Sequence, residues 1–88
     1  MKRKEEYLMQ NLGGEYILVP LGAEVVNLNG IIVLNNTGRF IWEQLAKDRS
    51  AEELVTAVRE RFDADTERAN ADVKAFLDDI THRGLVIV

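Results

Sequence analysis

The chain has 88 residues, of which 47% are hydrophobic and 30% charged, with a formal net charge of −4 at pH 7 and a sequence pI of about 4.9. This length and hydrophobic fraction predict a single small domain over residues 1–88 and exclude a disordered tail. The absence of cysteine excludes disulfides and thiolate chemistry, and the acidic balance argues against nucleic acid as the main partner.

The N-terminus carries no recognisable targeting segment. Residues Lys2 to Lys4 are basic, but Glu5 and Glu6 follow at once, so the apolar stretch of a signal peptide does not develop. No apolar run elsewhere approaches the roughly 20 residues that a membrane span needs. We therefore expect a soluble cytoplasmic protein with no membrane partner, and a frayed start at residues 2–6.

The first structured segment is predicted to be a β-hairpin. Residues 7–12 have modest strand character, and Gly13-Gly14 can supply the positive φ angles of a tight turn. Residues 15–20 are rich in β-branched and aromatic side chains. Pro20 has no N–H, so the pairing should end there.

A third strand is predicted at residues 31–34, which are apolar throughout and should be at least partly covered on both faces. Before it, Asn29-Gly30 favours a tight hairpin turn. Residues 21–29 are either an irregular connection or contain a short strand at 25–28. The N-terminal half thus predicts a three-stranded antiparallel sheet.

Three helices are predicted after the sheet. The first is predicted over residues 36–47, with Asn35, Asn36 or Thr37 as its N-cap. Its apolar face consists of Phe40, Ile41, Trp42 and Leu45. The second opens at Ser50, and Glu53 three residues later completes a capping box.

The third helix is predicted over residues 67–83, capped by Asp65 or Thr66 and ended by Gly84. Residues 85–88 form a short apolar tail, predicted to be a strand against the sheet. The apolar stripe of this helix recurs at helical spacing and consists of Ala69, Val73, Phe76, Leu77 and Ile80.

These elements predict an α+β fold, a three-stranded antiparallel sheet followed by a three-helix bundle, with a winged helix-turn-helix outline. That outline is typical of DNA-binding regulators, which are one alternative function. The third helix carries mixed, slightly acidic charges and lacks the basic stripe that phosphate contacts need. We therefore expect no nucleic-acid partner.

The residues offer no catalytic group. His82 is the single histidine, and its place in the last helical turn is explained by the helix dipole. Asp78 and Asp79 are adjacent, so on a helix their side chains diverge by about 100° and cannot converge on one atom. Asp63 and Asp65 lack the ligand pattern of a calcium loop. We expect a non-catalytic binding module without cofactor or metal.

Residues 31–34 contain none of the lysines, prolines or charges that normally protect the edge of a sheet. If this strand lies at an edge, it should be covered by the chain's own tail at 85–88, by a second copy, or by an extended peptide. A homodimer formed through this edge is therefore a further alternative.

Five short runs, in their order and spacing, resemble the PqqD family over residues 16–88. They are Leu34-Asn35-Asn36-Thr37-Gly38, Ile41-Trp42-Glu43-Gln44-Leu45, Ser50-Ala51-Glu52-Glu53-Leu54, Asp72-Val73-Lys74-Ala75-Phe76-Leu77 and Arg83-Gly84-Leu85. The longer connection from Leu21 to Gly30, where many members have a short turn, indicates a subgroup. Gly38 matches the family glycine, which we interpret as close packing of the first helix against the sheet.

The resemblance implies a peptide chaperone, also called a RiPP recognition element. Such proteins bind the leader of a ribosomally made precursor peptide and present it to a modifying enzyme, typically of the radical SAM type, as in pyrroloquinoline quinone biosynthesis. The leader adds as a strand to the edge of the third strand and packs against the third helix. The implied strand residues are Ile31, Ile32, Val33 and Leu34.

The helical part of the site is predicted from a helical wheel. One shoulder of the third helix carries Asn70, Lys74, Leu77 and Thr81, and the other carries Asp72, Asp79 and Arg83. We predict the first shoulder, because Leu77 offers apolar contact and Lys74 could meet an acidic leader. The alternative for Lys74 is a solvated surface charge.

Overall fold

The structure, a computed structural model, describes residues 1–20 and 32–87. In chain order its elements are β1 (Lys2–Arg3), β2 (Tyr7–Leu12), β3 (Glu15–Pro20), β4 (Ile32–Leu34), α1 (Asn36–Gln44), α2 (Ala51–Phe62), α3 (Thr66–His82) and β5 (Val86–Ile87). The predicted α+β fold, antiparallel strands followed by three helices, is confirmed. The features expected at residues 21–31 and at Val88 lie outside the described residues.

Strands β2, β3 and β4 form an antiparallel sheet in that order. The predicted hairpin has the expected bounds. In its turn, Gly13 and Gly14 adopt the positive φ angles that were expected, +60° and +89°. Strand β4 alternates, with Ile32 and Leu34 buried beneath the sheet and Val33 62% exposed on its outer face. The expectation that both faces of this strand are covered is therefore wrong at Val33.

The chain termini form a second sheet of two strands, in which β1 pairs with β5. The frayed start was a wrong expectation: Arg3 N–H donates to the Leu45 carbonyl and Lys4 N–H to the Leu85 carbonyl, both at 2.9 Å. The Arg3 guanidinium also donates to the Trp42 carbonyl at 3.0 Å. The C-terminal tail pairs with these N-terminal residues, so it does not cover the edge of β4.

The helices begin at the predicted caps. Asn35 caps α1, Ser50 caps α2 and Asp65 caps α3, each accepting a backbone N–H three residues later. Gly84, with φ of +76°, follows α3 as expected. Helix α1 ends at Gln44, three residues earlier than predicted. Beyond it, Ala46 N–H donates to the Glu43 carbonyl and Lys47 N–H to the Gln44 carbonyl, so the bonding tightens from i−4 to i−3.

The core lies between the inner face of the sheet and the three helices. Its buried members are Leu18, Ile32 and Leu34 from the sheet; Ile41, Trp42 and Leu45 from the first helical segment; Leu54 and Val58 from α2; Ala69, Val73, Leu77 and Ile80 from α3; and Leu85 and Val86 near the C-terminus. Trp42 is the largest of the fully buried side chains. Among the described residues, no helix has the length and apolar character that crossing a membrane requires.

The cap of α2 is a complete capping box. Glu53 N–H donates to the Ser50 hydroxyl at 3.1 Å, and Ser50 N–H donates to the Glu53 carboxylate at 2.9 Å. The backbone and side-chain hydrogen bonds from Ser50 lower the pKa of Glu53 below its usual value. Two N–H groups at the start of the helix are thereby satisfied.

We predict that Ser50→Ala lowers the free energy of unfolding by about 1 kcal/mol, because one N–H at the helix start loses its acceptor. Urea denaturation followed by circular dichroism measures the change. Thr56→Ala, on the exposed face of the same helix, is the control and should cost little, since alanine has the higher helix propensity. An S50A variant as stable as the parent protein would show that the cap adds nothing.

Candidate functional site

Strand β4 is paired along one of its two edges. Its partner is β3, with Tyr16 opposite Leu34, Ile17 opposite Val33 and Leu18 opposite Ile32. Within residues 1–20 and 32–87, no strand pairs with the other edge. That edge presents backbone N–H and C=O groups to whatever lies beside it. Ile31, the first residue of the predicted strand site, lies outside the described residues.

The strand leads directly into the cap of α1. The side-chain oxygen of Asn35 accepts a hydrogen bond from Gly38 N–H at 2.7 Å. Gly38 is buried, and a Cβ placed on it would lie 3.1 Å from Cε1 of Phe76. The ring of Phe76 therefore rests against the bare backbone of α1, which brings the middle of α3 close to the start of α1.

This arrangement leaves a cleft of about 370 Å³ between β4 and α3, which we call the β4 cleft. Its lining comprises Ile32, Val33, Leu34 and Asn35 on the strand side, Thr37 and Gly38 from α1, and Arg68, Asp72, Ala75, Phe76 and Asp79 from α3. The cleft thus combines a backbone edge that can form hydrogen bonds, an apolar surface at Ala75 and Phe76, and charged groups on the helical wall. A backbone edge beside an apolar helical wall is an arrangement to which an extended peptide can add as a strand.

The charged groups of that wall are paired along the helix. Arg68 Nε lies 3.7 Å from a carboxylate oxygen of Asp72, and Arg83 Nε donates to Asp79 at 2.9 Å. The first distance exceeds that of a hydrogen bond, whereas the second is a well-formed one. Asp72 is therefore the more weakly held of the two carboxylates.

A second cavity, of about 790 Å³, lies on the opposite flank of α3 against α2 and Met1, and we call it the α2–α3 cavity. Its lining contains Met1, Ala51, Val55, Asn70, Val73, Lys74, Leu77, Asp78, Thr81 and His82. The four helical residues predicted for the peptide site, Asn70, Lys74, Leu77 and Thr81, are all among them. None of the four lines the β4 cleft.

The structure thus divides the predicted site between two cavities, with Ile32, Val33 and Leu34 in one and the helical residues in the other. The physical reason is that α3 packs with one flank towards α2 and the other towards α1 and β4. Phe76 and Leu77, adjacent members of the predicted apolar stripe of α3, differ in their surroundings. Leu77 is buried in the core at 7% exposure, whereas Phe76 is half-buried and faces the β4 cleft.

The residues of α3 that line the β4 cleft lie on the other shoulder of the helix, the one not predicted to contact the peptide. Asp72 and Asp79 belong to it, and Phe76 lies between them at helical spacing. The divergence of Asp78 and Asp79 is confirmed, because they line different cavities. Within the described part of the chain, no group of three histidine, aspartate or glutamate side chains could hold a metal ion.

Comparison with known proteins found a matching family and a similar solved structure. The family model described as Coenzyme PQQ synthesis protein D (PqqD) matches residues 6–86. A solved structure described as TbiB1 in complex with the TbiA(beta) leader peptide is similar, with a TM-score of 0.71 and 23% sequence identity over 97% of this chain and 93% of that one. No curated protein matches the sequence.

We predict that Gly38→Ala lowers the free energy of unfolding by about 1 kcal/mol. Alanine gains about 1 kcal/mol of helix propensity. However, the new methyl would lie 3.1 Å from both the Phe76 ring and the Asn35 side-chain oxygen, and such overpacking costs about 1–3 kcal/mol. A double-mutant cycle with Phe76→Ala, measured by urea denaturation, isolates the contact.

In the F76A background the cost of G38A should shrink or vanish, since the ring that opposes the methyl is gone. An equal cost in both backgrounds would contradict the close packing of Phe76 on Gly38.

Proposed function

The chain belongs to the PqqD family, and from this premise we propose that it is a non-catalytic peptide-binding protein that holds the leader of a ribosomally made precursor peptide. It would present that peptide to a modifying enzyme. The observation that carries the proposal is the edge of β4 that no strand among the described residues occupies, which runs along a cleft bounded by α3. Further support comes from TbiB1, a protein of similar fold whose structure was determined with a leader peptide.

The proposed binding mode is addition of the leader as a fourth strand beside β4. Backbone hydrogen bonds to the open edge would supply affinity that does not depend on sequence, and alternate side chains would supply selectivity. The leader side chains on the same face as Ile32 and Leu34 would point towards α3, and those on the face of Val33 would point to solvent.

The helical wall of the site is proposed to be the Asp72, Phe76 and Asp79 flank, since these residues share the cleft with β4. Phe76 is the apolar anchor, because its half-buried ring is held on Gly38 and offers its remaining surface to the cleft. Binding would complete the burial of that ring, which is a favourable use of exposed apolar surface.

The partner enzyme is proposed to be of the radical SAM type, as the family resemblance implies, with pyrroloquinoline quinone or another peptide-derived product as the outcome. The role of this chain would be to raise the local concentration of the precursor at the enzyme by keeping the leader bound. A second copy at the β4 edge is the competing occupant.

A titration of ¹⁵N-labelled protein with the synthetic leader of the precursor encoded beside it tests the proposal. We expect amide shifts to cluster at residues 32–34 and on the 68–79 flank of α3, since these backbone groups and side chains would contact the added strand. Light scattering on the same samples should give a monomeric mass. An absence of shifts at β4, together with a dimeric mass, would instead favour a second copy at that edge.

A pair of variants on α3 distinguishes its two flanks. Phe76→Ala should raise the Kd for the leader about tenfold or more, because the apolar contact of a large side chain is worth roughly 1.5–3 kcal/mol when fully buried. Lys74→Ala, which changes the α2–α3 cavity, is the matched control and should leave the Kd unchanged. Fluorescence anisotropy of a labelled leader measures both values. If K74A weakens binding and F76A does not, the peptide binds in the α2–α3 cavity instead.

A further inference from the structure

The helical wall of the β4 cleft has a chemistry that restricts which leader it can take. At its apolar centre stands Phe76, and one helical turn earlier stands Asp72, whose side chain is 40% exposed. The arginine beside Asp72 is itself 77% exposed and lies 3.7 Å away, so this pair is weak and its carboxylate is open to another cation. Asp79 differs, because Arg83 already donates a 2.9 Å hydrogen bond to it.

The direction of the strand relative to the helix follows from the residues after it. Thr37, just past the end of β4, lines a small adjoining cavity together with Arg68 and Asp72. The C-terminal end of β4 therefore lies beside the N-terminal half of α3. Because the β4 cleft continues along α3 as far as Asp79, the earlier residues of β4 are assigned to the C-terminal half of the helix, so that strand and helix run in opposite directions. A peptide that adds antiparallel to β4 would consequently run in the same direction as α3.

The spacing of a strand matches that of this helical wall. Residues 72 and 76 are separated by four steps of the helix, an axial rise of about 6 Å. Two successive side chains on one face of a strand are about 6.8 Å apart. One peptide side chain can therefore face Asp72 while the next on the same face reaches Phe76.

We propose that the leader bound by this protein carries a lysine or arginine two residues before an apolar residue, with the basic side chain on Asp72 and the apolar side chain on Phe76. This inference rests on the proposed function and specifies the peptide that the same cleft selects. The sequence class is basic-x-apolar, with the middle residue facing solvent on the side of Val33. An acidic residue at the first position would be repelled by Asp72.

The test compares Asp72→Asn with Asp78→Asn, two isosteric changes that each remove one charge from α3, of which only the first lies in the β4 cleft. The probe is the synthetic, fluorescein-labelled leader of the precursor encoded beside this protein, and the readout is its Kd at low and at moderate salt. We expect D72N to weaken binding about fivefold to tenfold at low salt, with a smaller effect as salt rises. D78N should change the Kd less than about twofold, because Asp78 lines the α2–α3 cavity and not the β4 cleft.

A charge-reversal cycle then locates the partner on the peptide. Asp72→Lys should weaken binding of the parent leader more strongly than D72N does. A leader in which one basic residue is replaced by glutamate should recover affinity for D72K, and only when that residue stands two positions before an apolar one. No other basic position should show this recovery.

The ¹⁵N titration separates failure of this inference from failure of the proposed function. If the leader shifts the amides of residues 32–34 but D72N binds as tightly as the parent protein, the basic-x-apolar preference is overturned and the peptide site stands. The preference is also overturned if affinity for D72K recovers when the replaced basic residue stands at a different spacing from the apolar one. A leader that binds without a basic and an apolar residue two positions apart overturns it as well. If the leader does not shift those amides at all, the proposed function fails and this inference fails with it.

Discussion

The turn from sheet to helices at residues 35–38 is the constraint on which the rest of the molecule depends. Asn35 ends β4 and accepts the hydrogen bond from Gly38 that opens α1, so the strand and the helix are joined without a free linker. Since Gly38 has no side chain, the ring of Phe76 can lie against the backbone there, and α3 is drawn to the start of α1. This contact brings the α3 wall of the cleft close to the end of β4.

Local features of the fold were predictable because their causes are local. The caps at Ser50 and Asp65, and the glycine after α3, are recognised from residues three or four positions apart, and the structure has them as expected. The pairing of Lys2–Arg3 with the C-terminal strand was missed, because two basic residues have little strand character and their partners lie at the other end of the chain. The strand is imposed by tertiary packing and by the hydrogen bonds of Arg3 to α1 and its end.

The candidate site shares its strand with the site predicted from the sequence, but its helical wall consists of other residues. An unprotected apolar strand can be recognised from sequence, and the structure leaves the edge of β4 open among the residues described. The helical half depends on which way α3 is rotated, and Phe76 and Leu77 are adjacent and both apolar, so the helical wheel allows either to face the core. Leu77 faces it because Gly38 provides room for a large ring on the neighbouring flank, and no pattern within α3 itself carries that information.

The two-stranded sheet that joins Lys2–Arg3 to Val86–Ile87 brings the two ends of the domain side by side. In a larger polypeptide, the incoming and outgoing chain would meet at one place on the surface. A domain of this kind can be spliced into a surface loop of another protein with little disturbance, because the host's two loop ends need only stand a strand's width apart.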